Sequence, residues 1–550
     1  MHVGVVLRSL RSVGLRRAAL RAVRPWRGAL RRTARRLGAG PGAASLRSFS
    51  LSRAPAPEDA WTGSFRFRFL EVERDLGEPL DWSAAPSRLW GYHLHYLDAL
   101  RQRNRSTEEG AGLLEAWIRG NPFGSRPGWE PFPLSLRLVN ALEFLSSSGG
   151  GSPEAVRSLA QQAWWLEALL ERDLGANHLW KNGLALAWAG RVLECRDSAR
   201  WRRKGDEIVR DALERHVLPD GFHFERTPGY HAVFVEDLLR LTALLDAADG
   251  SESALQRRAL PVLAASAGAL ASVAHGDGEI PLFNDSAFGQ APATADLLAA
   301  AAERTAGIGG FRADPKGAVA AGLHRLAAGG RVLLIDAGDT ACREQPGHAH
   351  ADTFSFEMSC GRDRVIVDAG VHDYEASEER RYARSTAAHN TVEVDGADQS
   401  ELWGSFRAGR LASVVEFSRS GPEGGETIEA VHDGYARLPG RPLHRRRVRV
   451  LPEGFAVEDR VEGRGRHRAV GRVRFHPALA VRLVGPGEVE AVGERISCRL
   501  LAGAGTPLAL EEGAYFPRFG RKERATVVRM EREGDLPVRF SYRLFVSRRD

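Results

Sequence analysis

The chain has 550 residues, of which 43% are hydrophobic, and a formal net charge of +7. This length exceeds what one hydrophobic core usually supports, so two large domains are expected. Residues 1–54 contain thirteen arginines and no acidic residue, so the rest of the chain carries −6 of the total of +7. The basic charge is therefore local, and it does not indicate a nucleic-acid-binding protein.

Two further classes of protein are disfavoured by composition. No run of eighteen or more apolar residues predicts a transmembrane segment. The four cysteines are widely spaced and form no CxxC pair, so they predict neither a disulfide framework nor a cysteine-based zinc site. They are Cys195, Cys342, Cys360 and Cys498.

Residues 1–55 are rich in Arg, Ala, Leu, Gly and Ser. This composition favours a disordered tail, with a cationic targeting or membrane-surface helix and an anion-binding segment as the alternatives. The segment lacks the uninterrupted apolar stretch and the small-residue cleavage site of a secretory signal.

Residues 56–315 are predicted to be mainly helical. They open with FRFRFLEVERDL, which alternates like a short hairpin, and an aromatic cluster follows that either stacks on sugar rings or packs the start of the helical domain. Apolar residues then recur at helical spacing between short Gly/Pro/Asn connections, as expected for stacked antiparallel helix pairs, which in this number can close into a toroid. The aromatic cluster comprises Trp82, Trp90, Tyr92, His93, His95 and Tyr96.

Three polar joints interrupt these predicted helices. GANHLWKN carries Asn177 and His178, LPDGFHFERTPGYH carries Tyr230 and His231, and HGDGEIPLFNDS resembles another loop of a cleft rim. Connections at one end of a toroid share a cleft, so these side chains are candidates for binding or catalysis. A helix cap at Asn177 and a packed aromatic at Tyr230 are the alternative interpretations.

Residues 316–550 change to a period of two and are predicted to form an antiparallel β-sandwich of roughly a dozen strands. The stretch Gly347–Asn390 lies near its start. There, two imidazoles and a carboxylate, from His350, Asp368 and His389, suit a divalent metal such as zinc. The alternative explanation is that these three residues occupy strand ends and turns and bind no metal.

Five motifs resemble the heparinase II/III family of polysaccharide lyases. They are GANHLWKNGLAL, TPGYHAVFVEDLLRL, GHAHADTFSFEM, VIVDAGVHDY and RYARSTAAHNTVEVDG, and the resemblance covers about residues 60–545 in the same order. The N-terminal part, RFRFLEVERDLGEPLDW and SRLWGYHLHYLDAL, is similar to a bacterial branch associated with surface-polysaccharide loci. The family implies an (α/α) toroid followed by an antiparallel β-sandwich.

The resemblance also implies β-elimination on uronic-acid polysaccharides. Asn177, with His178 nearby, matches the position that stabilises the developing aci-carboxylate. Tyr230 and His348 are the candidate base and acid. His231, Arg384 and Tyr382 would supply a cationic or hydrogen-bonding environment for Tyr230, and Tyr382 is an alternative acid; His350, Asp368 and His389 would hold a structural zinc ion.

The leading prediction is thus a lyase whose partner is an acidic polysaccharide and not a nucleic acid. The rivals are a uronyl C5-epimerase, which returns the proton to the opposite face, and a non-catalytic glycan-binding component of surface-polysaccharide assembly. For localisation, the family indicates the cell envelope or periplasm, whereas the absence of a clear secretion signal leaves the cytoplasm open.

Overall fold

The structure is a computed structural model that describes residues 3–47, 49, 51, 54–56, 60–340, 342–343, 345–421 and 425–549. Side chains are described from residue 17 onward. A helical part comes first and a part rich in antiparallel strands follows, which confirms the predicted order of toroid and β-sandwich.

Short 3₁₀ turns cover Asp98–Arg101, Ala306–Ile308, Pro346–His348 and Thr386–Ala388, and eleven α-helices are found in the described residues. The helices are α1 (Val3–Arg36), α2 (Arg88–Tyr96), α3 (Thr107–Gly120), α4 (Pro131–Ser147), α5 (Pro153–Ala168), α6 (Ala176–Val192), α7 (Ser198–Arg215), α8 (Pro228–Asp249), α9 (Ala254–Val273), α10 (Thr294–Thr305) and α11 (Glu378–Ala383).

Local chemistry sets where several of these helices begin. Ser106 and Glu109 form a reciprocal capping box at the start of α3. α5 begins at Pro153 behind the Ser152 cap, and α8 begins at Pro228, because proline fixes a helical φ where its missing N–H costs nothing. Two buried clusters of apolar side chains then hold the helices together, one built mainly on α2–α6 and the other on α6–α10.

The strands are β1 (Ser45–Leu46), β2 (Arg66–Phe69), β3 (Val72–Asp75), β4 (Leu193–Glu194), β5 (Gly317–Ala318), β6 (Leu323–Ala328), β7 (Arg331–Asp336), β8 (Phe356–Cys360), β9 (Asp363–Ile366), β10 (Val392–Val394), β11 (Leu402–Trp403), β12 (Arg407–Ala408), β13 (Val414–Ser420), β14 (Thr427–His432), β15 (Leu443–Leu451), β16 (Gly454–Glu462), β17 (Arg466–Arg474), β18 (Ala480–Gly485), β19 (Glu488–Val492), β20 (Ile496–Ala502), β21 (Leu508–Tyr515), β22 (Glu523–Asp535) and β23 (Val538–Arg548). The predicted N-terminal hairpin forms, since β2 pairs antiparallel with β3, and β8 also pairs antiparallel with β9.

Three antiparallel sheets share one core in the β-rich part. Their orders are β5-β6-β7-β8-β9, β10-β17-β22-β21 and β13-β14-β15-β16-β23-β20-β19-β18. Side chains from all three sheets meet in a single buried cluster, as in a β-sandwich. There are more strands than the dozen predicted, because an exposed edge strand such as β18 does not alternate between buried and exposed residues.

The N-terminal segment differs from the predicted disordered tail, because it is helical over Val3–Arg36 and contacts the helical part. Arg24 Nη1 lies 3.0 Å from Asp173 Oδ1, and Arg31 Nη2 lies 3.0 Å from Glu167 Oε2. The Arg31 guanidinium also stacks 4.1 Å from the centre of the Trp164 ring. These ion pairs with carboxylates, together with the stacking on an indole ring, order the segment.

None of the helices in the described ranges is both long enough and apolar enough to cross a membrane.

Helices α6 and α7 approach so closely that glycine is required between them. A Cβ atom added to Gly205 would lie 2.3 Å from the main-chain nitrogen of Ala187. Such a contact with backbone cannot be relieved by a change of rotamer, so the two helices would have to separate.

We expect Gly205→Ala to destabilise the fold by about 1–3 kcal/mol, because the added methyl group overpacks this interface. Thermal and urea unfolding monitored by circular dichroism would measure the change. Gly112→Ala on α3 is the matched control, since a Cβ there meets nothing within 4 Å and alanine favours a helix. Equal stability of the two variants would contradict the close-approach argument.

Candidate functional site

A cavity of about 990 Å³ is lined by side chains from both parts of the chain. Tyr92, Asn177 and Tyr230 come from the helical part, and His348 and Tyr374 come from the β-rich part. A concave site with aromatic walls and a few convergent polar groups is the usual form of a ligand-binding site. The aromatic cluster of the sequence divides here, because Tyr92, His93 and Tyr96 line the cavity whereas Trp82, Trp90 and His95 are buried.

Asn177 and His178 occupy the first turn of α6, at the cavity wall. The main-chain N–H of Asn177 donates to Glu225 Oε1 over 3.1 Å, while its side-chain Oδ1 has no hydrogen-bond partner among the described residues. His178 Nδ1 lies 3.2 Å from Glu171 Oε1. Burial acts to lower the pKa of His178, but the Glu171 carboxylate outweighs it, so the pKa is raised and the protonated ring is favoured.

Tyr230 stands in the first turn of α8 and faces the β-rich part. Its hydroxyl lies 3.0 Å from that of Tyr374, and its ring centre lies 4.1 Å from that of His348. Burial raises the pKa of Tyr230, and the negative charge of Asp285 raises it further. The phenol is therefore held in its protonated form, which suits a proton donor and not a base near neutral pH.

The His348 imidazole is oriented by a buried carboxylate. Its Nδ1 lies 2.9 Å from Asp285 Oδ2. Burial acts to raise the pKa of Asp285, but the Arg380 guanidinium and the hydrogen bonds from His348 and His350 hold it well below its usual range. Since a charged carboxylate only accepts hydrogen bonds, the proton of neutral His348 is on Nδ1 and Nε2 is the basic nitrogen.

Asp285 itself is held from three sides. His350 Nε2 lies 2.9 Å from Oδ1, and Arg380 donates to both carboxylate oxygens, with Nη2 at 2.9 Å from Oδ2. Arg380 also donates to the carbonyl of Ser405. A bidentate arginine fixes the plane of a carboxylate as well as its charge, so the orientation of His348 is set by Arg380 through Asp285.

His231 was expected to supply a cationic or hydrogen-bonding environment for Tyr230, but its ring is engaged elsewhere. The ring stacks on Phe222 with centres 4.0 Å apart, Nδ1 accepts from the His223 N–H at 3.0 Å, and Nε2 donates to the Ser266 carbonyl at 2.9 Å. Burial lowers its pKa to about 3, so the ring is neutral. His231 thus braces the connection before α8 and does not line the cavity.

Tyr382 and Arg384 are likewise engaged away from the cavity. The Tyr382 hydroxyl accepts from Arg474 Nη2 at 2.8 Å. Arg384 donates to the carbonyls of Ala349 at 3.1 Å and Gly404 at 2.8 Å. The predicted cationic neighbour of Tyr230 is therefore replaced by Arg380, one helical turn earlier, which acts through Asp285.

Four residues of the site were given no catalytic or metal-binding role from the sequence: Glu225, Asp285, Tyr374 and Arg380. Glu225 and Asp285 stood inside polar joints that the sequence identified as parts of a cleft rim. Arg380 and Tyr374 carried no such signal, because an arginine four residues before Arg384 and a tyrosine in VHDY are equally typical of a solvated surface.

A second cluster of buried donors lies next to this site. One ligand atom each from His350, Asp352 and His389 can be chosen so that all three lie within 4.8 Å of one another. Each residue is buried, and His350 Nδ1, Asp352 Oδ1 and His389 Nε2 have no hydrogen-bond partner among the described residues. Burial lowers the pKa of His350 to about 4, so that ring is neutral, as a metal ligand must be. Convergent, unpartnered donors of this type fit a divalent metal ion.

This cluster differs from the predicted ligand set at one position. The Asp368 carboxylate lies 2.9 and 3.0 Å from His389 Nδ1 and accepts from Ser355 Oγ at 2.6 Å. It therefore orients His389 from the side away from Nε2, as carboxylates behind metal-bound histidines do. Asp352 is the carboxylate that joins the two imidazoles.

The chain matches two models of one family, "Heparinase II/III N-terminus" over residues 152–303 and "Heparinase II/III-like, C-terminal" over residues 312–543. Among curated relatives, FtsZ-localized protein C of Caulobacter vibrioides is 28% identical over 403 residues, which are 70% of this chain and 66% of that protein. Heparin-sulfate lyase of Pedobacter heparinus is 24% identical over 318 residues, 51% of this chain and 46% of that enzyme. The chain thus spans just under two thirds and just under half of these two relatives.

A solved structure agrees in fold. The crystal structure of heparinase III superimposes with a TM-score of 0.65 at 16% identity, covering 87% of this chain and 80% of that one. At this identity the likeness supports the architecture of toroid and β-sandwich. Since both halves of the family model match in order and the fold agrees, the chain belongs to the heparinase II/III family.

Proposed function

We propose that the protein is a polysaccharide lyase that cleaves a uronic-acid-containing glycan by β-elimination in the cavity between the two parts. The observation that carries the proposal is the contact of Tyr230 with His348, a protonated phenol packed at a tilt of 35° against an imidazole whose basic nitrogen is defined by Asp285. Elimination requires a protonated acid and an unprotonated base close together, and Tyr230 and His348 would supply them.

The proposed reaction begins with the substrate carboxylate at Asn177 and His178. Hydrogen bonds from the Asn177 amide and the protonated His178 ring would stabilise the aci-carboxylate as charge develops on it. His348 Nε2 then takes the proton from C5 of the uronate. The electron pair of that C–H bond forms the C4–C5 double bond as the C4–O bond breaks.

Tyr230 completes the step by donating its phenolic proton to the departing glycosidic oxygen. Tyr374, 3.0 Å away, is placed to stabilise the resulting phenolate by donating its own hydrogen bond. Exchange with water returns a proton to Tyr230 and removes one from His348, so protons and electrons balance over the cycle. The product carries an unsaturated uronate at its new end.

A metal ion held by His350, Asp352 and His389 would be structural in this scheme. Bound zinc would tie the segment that carries His350 to the segment that carries His389. His350 also contacts Asp285, so order at the metal would help to fix the carboxylate that orients His348.

Two other functions share parts of this evidence. A uronyl C5-epimerase would use the same proton abstraction and return the proton to the opposite face. A non-catalytic glycan-binding role is favoured by one observation, that a relative covering 70% of this chain is named for localisation with FtsZ and not for an activity. The bacterial envelope is the proposed location for any of the three, because acidic glycans are found there.

Incubation of the purified chain with a panel of uronate polysaccharides tests the proposal. Ultraviolet absorbance and mass spectrometry in deuterated water are expected to detect unsaturated uronate ends. Deuterium at C5 without chain cleavage would select the epimerase. Binding of a glycan with neither change would select the non-catalytic role.

Tyr230→Phe should lower kcat by about 10²-fold or more, because the proton donor is lost while the ring packing is kept. Tyr382→Phe is the matched control and should leave kcat within about threefold, since its hydroxyl bonds to Arg474 away from the cavity. Initial rates of unsaturated-product formation would be compared for both variants. A larger loss of kcat in Tyr382→Phe than in Tyr230→Phe would indicate that Tyr382 is the acid.

Asp285→Asn should lower kcat by about 10²-fold or more with little change in KM, because the amide no longer fixes the tautomer of His348. Asp277→Asn is the control for loss of a carboxylate that pairs with an arginine, in this case Arg364. Thermal melts of both variants separate loss of positioning from loss of folding. If kcat falls equally in the two variants, Asp285 has no special role in orienting the base.

The metal assignment is tested by elemental analysis of the chain purified in zinc. We expect close to one equivalent in the wild type and loss of binding in His389→Ala and Asp352→Asn. Asp368→Asn should bind zinc about 10–100-fold more weakly but retain the site, because it removes support and not a ligand. Full retention in Asp352→Asn with loss in Asp368→Asn would restore Asp368 as the ligand.

A further inference from the structure

One face of helix α1 packs on the protein, and three of its arginines lie on that face. Arg24 and Arg31 reach carboxylates of the helical part, and the Arg35 guanidinium lies 4.9 Å from the centre of the Phe123 ring. Gly28 lies on the same side, buried, where an added Cβ would be 3.3 Å from Leu169. Positions 24, 28, 31 and 35 follow the three- and four-residue spacing of one helical face.

The opposite face carries large apolar side chains in solvent. Val23 is 45% exposed, Trp26 74% and Leu30 69%, and Leu37, immediately after the helix, is 81% exposed. Intervals of three, four and seven residues place these side chains along one stripe. Single exposed apolar residues are ordinary, but a stripe of this kind marks a surface that another phase or molecule covers.

The charge around this stripe identifies what covers it. Arg27 and Arg36 are exposed beside it, and residues 1–54 carry thirteen arginines and no carboxylate. A second copy that placed the same face against this one would bring two positive segments together, which is unfavourable. An exposed indole and leucines flanked by arginines match the interface of a bilayer with anionic headgroups.

We propose that the solvent-facing side of α1 docks the protein on an anionic lipid bilayer. Trp26, Leu30 and Leu37 enter the boundary between headgroups and acyl chains, and Arg27 and Arg36 contact the phosphates. The ion pairs of Arg24 and Arg31 hold the helix to the rest of the protein, so docking of α1 carries the whole chain to the membrane. This inference does not depend on the lyase reaction.

Cosedimentation of the purified full chain with phospholipid vesicles tests the proposal. Binding is expected to vesicles that contain phosphatidylglycerol and to be weak on pure phosphatidylcholine, and it should fall as salt is added. Trp26→Ser combined with Leu30→Ser should lower the partition coefficient by at least about tenfold, because most of the buried apolar area is lost.

The matched control is Ile308→Ser combined with Val484→Ser, which removes two exposed apolar side chains outside α1 and should leave binding unchanged. Circular dichroism would verify that both double variants fold. No binding by the wild type, equal binding to phosphatidylcholine, or equal loss in the two variants would each overturn the proposal. So would concentration-dependent dimerisation that is lost in Trp26→Ser/Leu30→Ser without vesicle binding, because a second copy would then occupy the stripe.

Discussion

The buried carboxylate of Asp285 is the interaction on which the candidate site depends. It belongs to the connection after α9, yet all three of its charged or ring partners, His348, His350 and Arg380, come from the β-rich part. Burying a carboxylate costs several kcal/mol unless its oxygens are fully paired. The bidentate Arg380 and two imidazoles meet that demand, so the two parts of the chain are held in one relative position where the cavity forms.

The same carboxylate gives the two sides of the proposed reaction their different roles. Its charge fixes the proton of His348 on Nδ1, and it also adds to the burial that raises the pKa of Tyr230. In the proposed reaction, one buried negative charge thus orients the imidazole that acts as the base and keeps the neighbouring phenol protonated. No separate cation is needed beside Tyr230, which explains why Arg384 can serve main-chain carbonyls instead.

Helix α1 connects this cavity with the outer surface. Arg17 and Arg21 lie on the cavity wall, whereas Trp26 and Leu30 are exposed to solvent further along the same helix. The helix thus has one side toward the cavity and the helical part, and the other side in solvent.

The fold and much of the site could be predicted from the sequence for a physical reason. Periodicity reports which side of an element is buried, and it changes from helical spacing to alternation where α10 ends and β5 begins. A hairpin turn depends on neighbouring residues alone, so the β2–β3 hairpin could be predicted. Asn177 and Tyr230 were noticed because they lie in polar joints between predicted helices, whereas their roles and that of His348 were implied by the resemblance to the family.

Which side chains meet was decided only by the tertiary structure. Asp352 precedes β8 in irregular backbone, and Phe354 there has a φ of 70°, so alternation cannot predict where the Asp352 carboxylate points. Arg380 and Arg384 lie one turn apart on a short helix, and only the position of Asp285 selects the first. The sequence by itself determined the elements and the residue types of the site. Contacts between segments distant in the chain decided which carboxylate serves each histidine, because local patterns carry no information about partners far away.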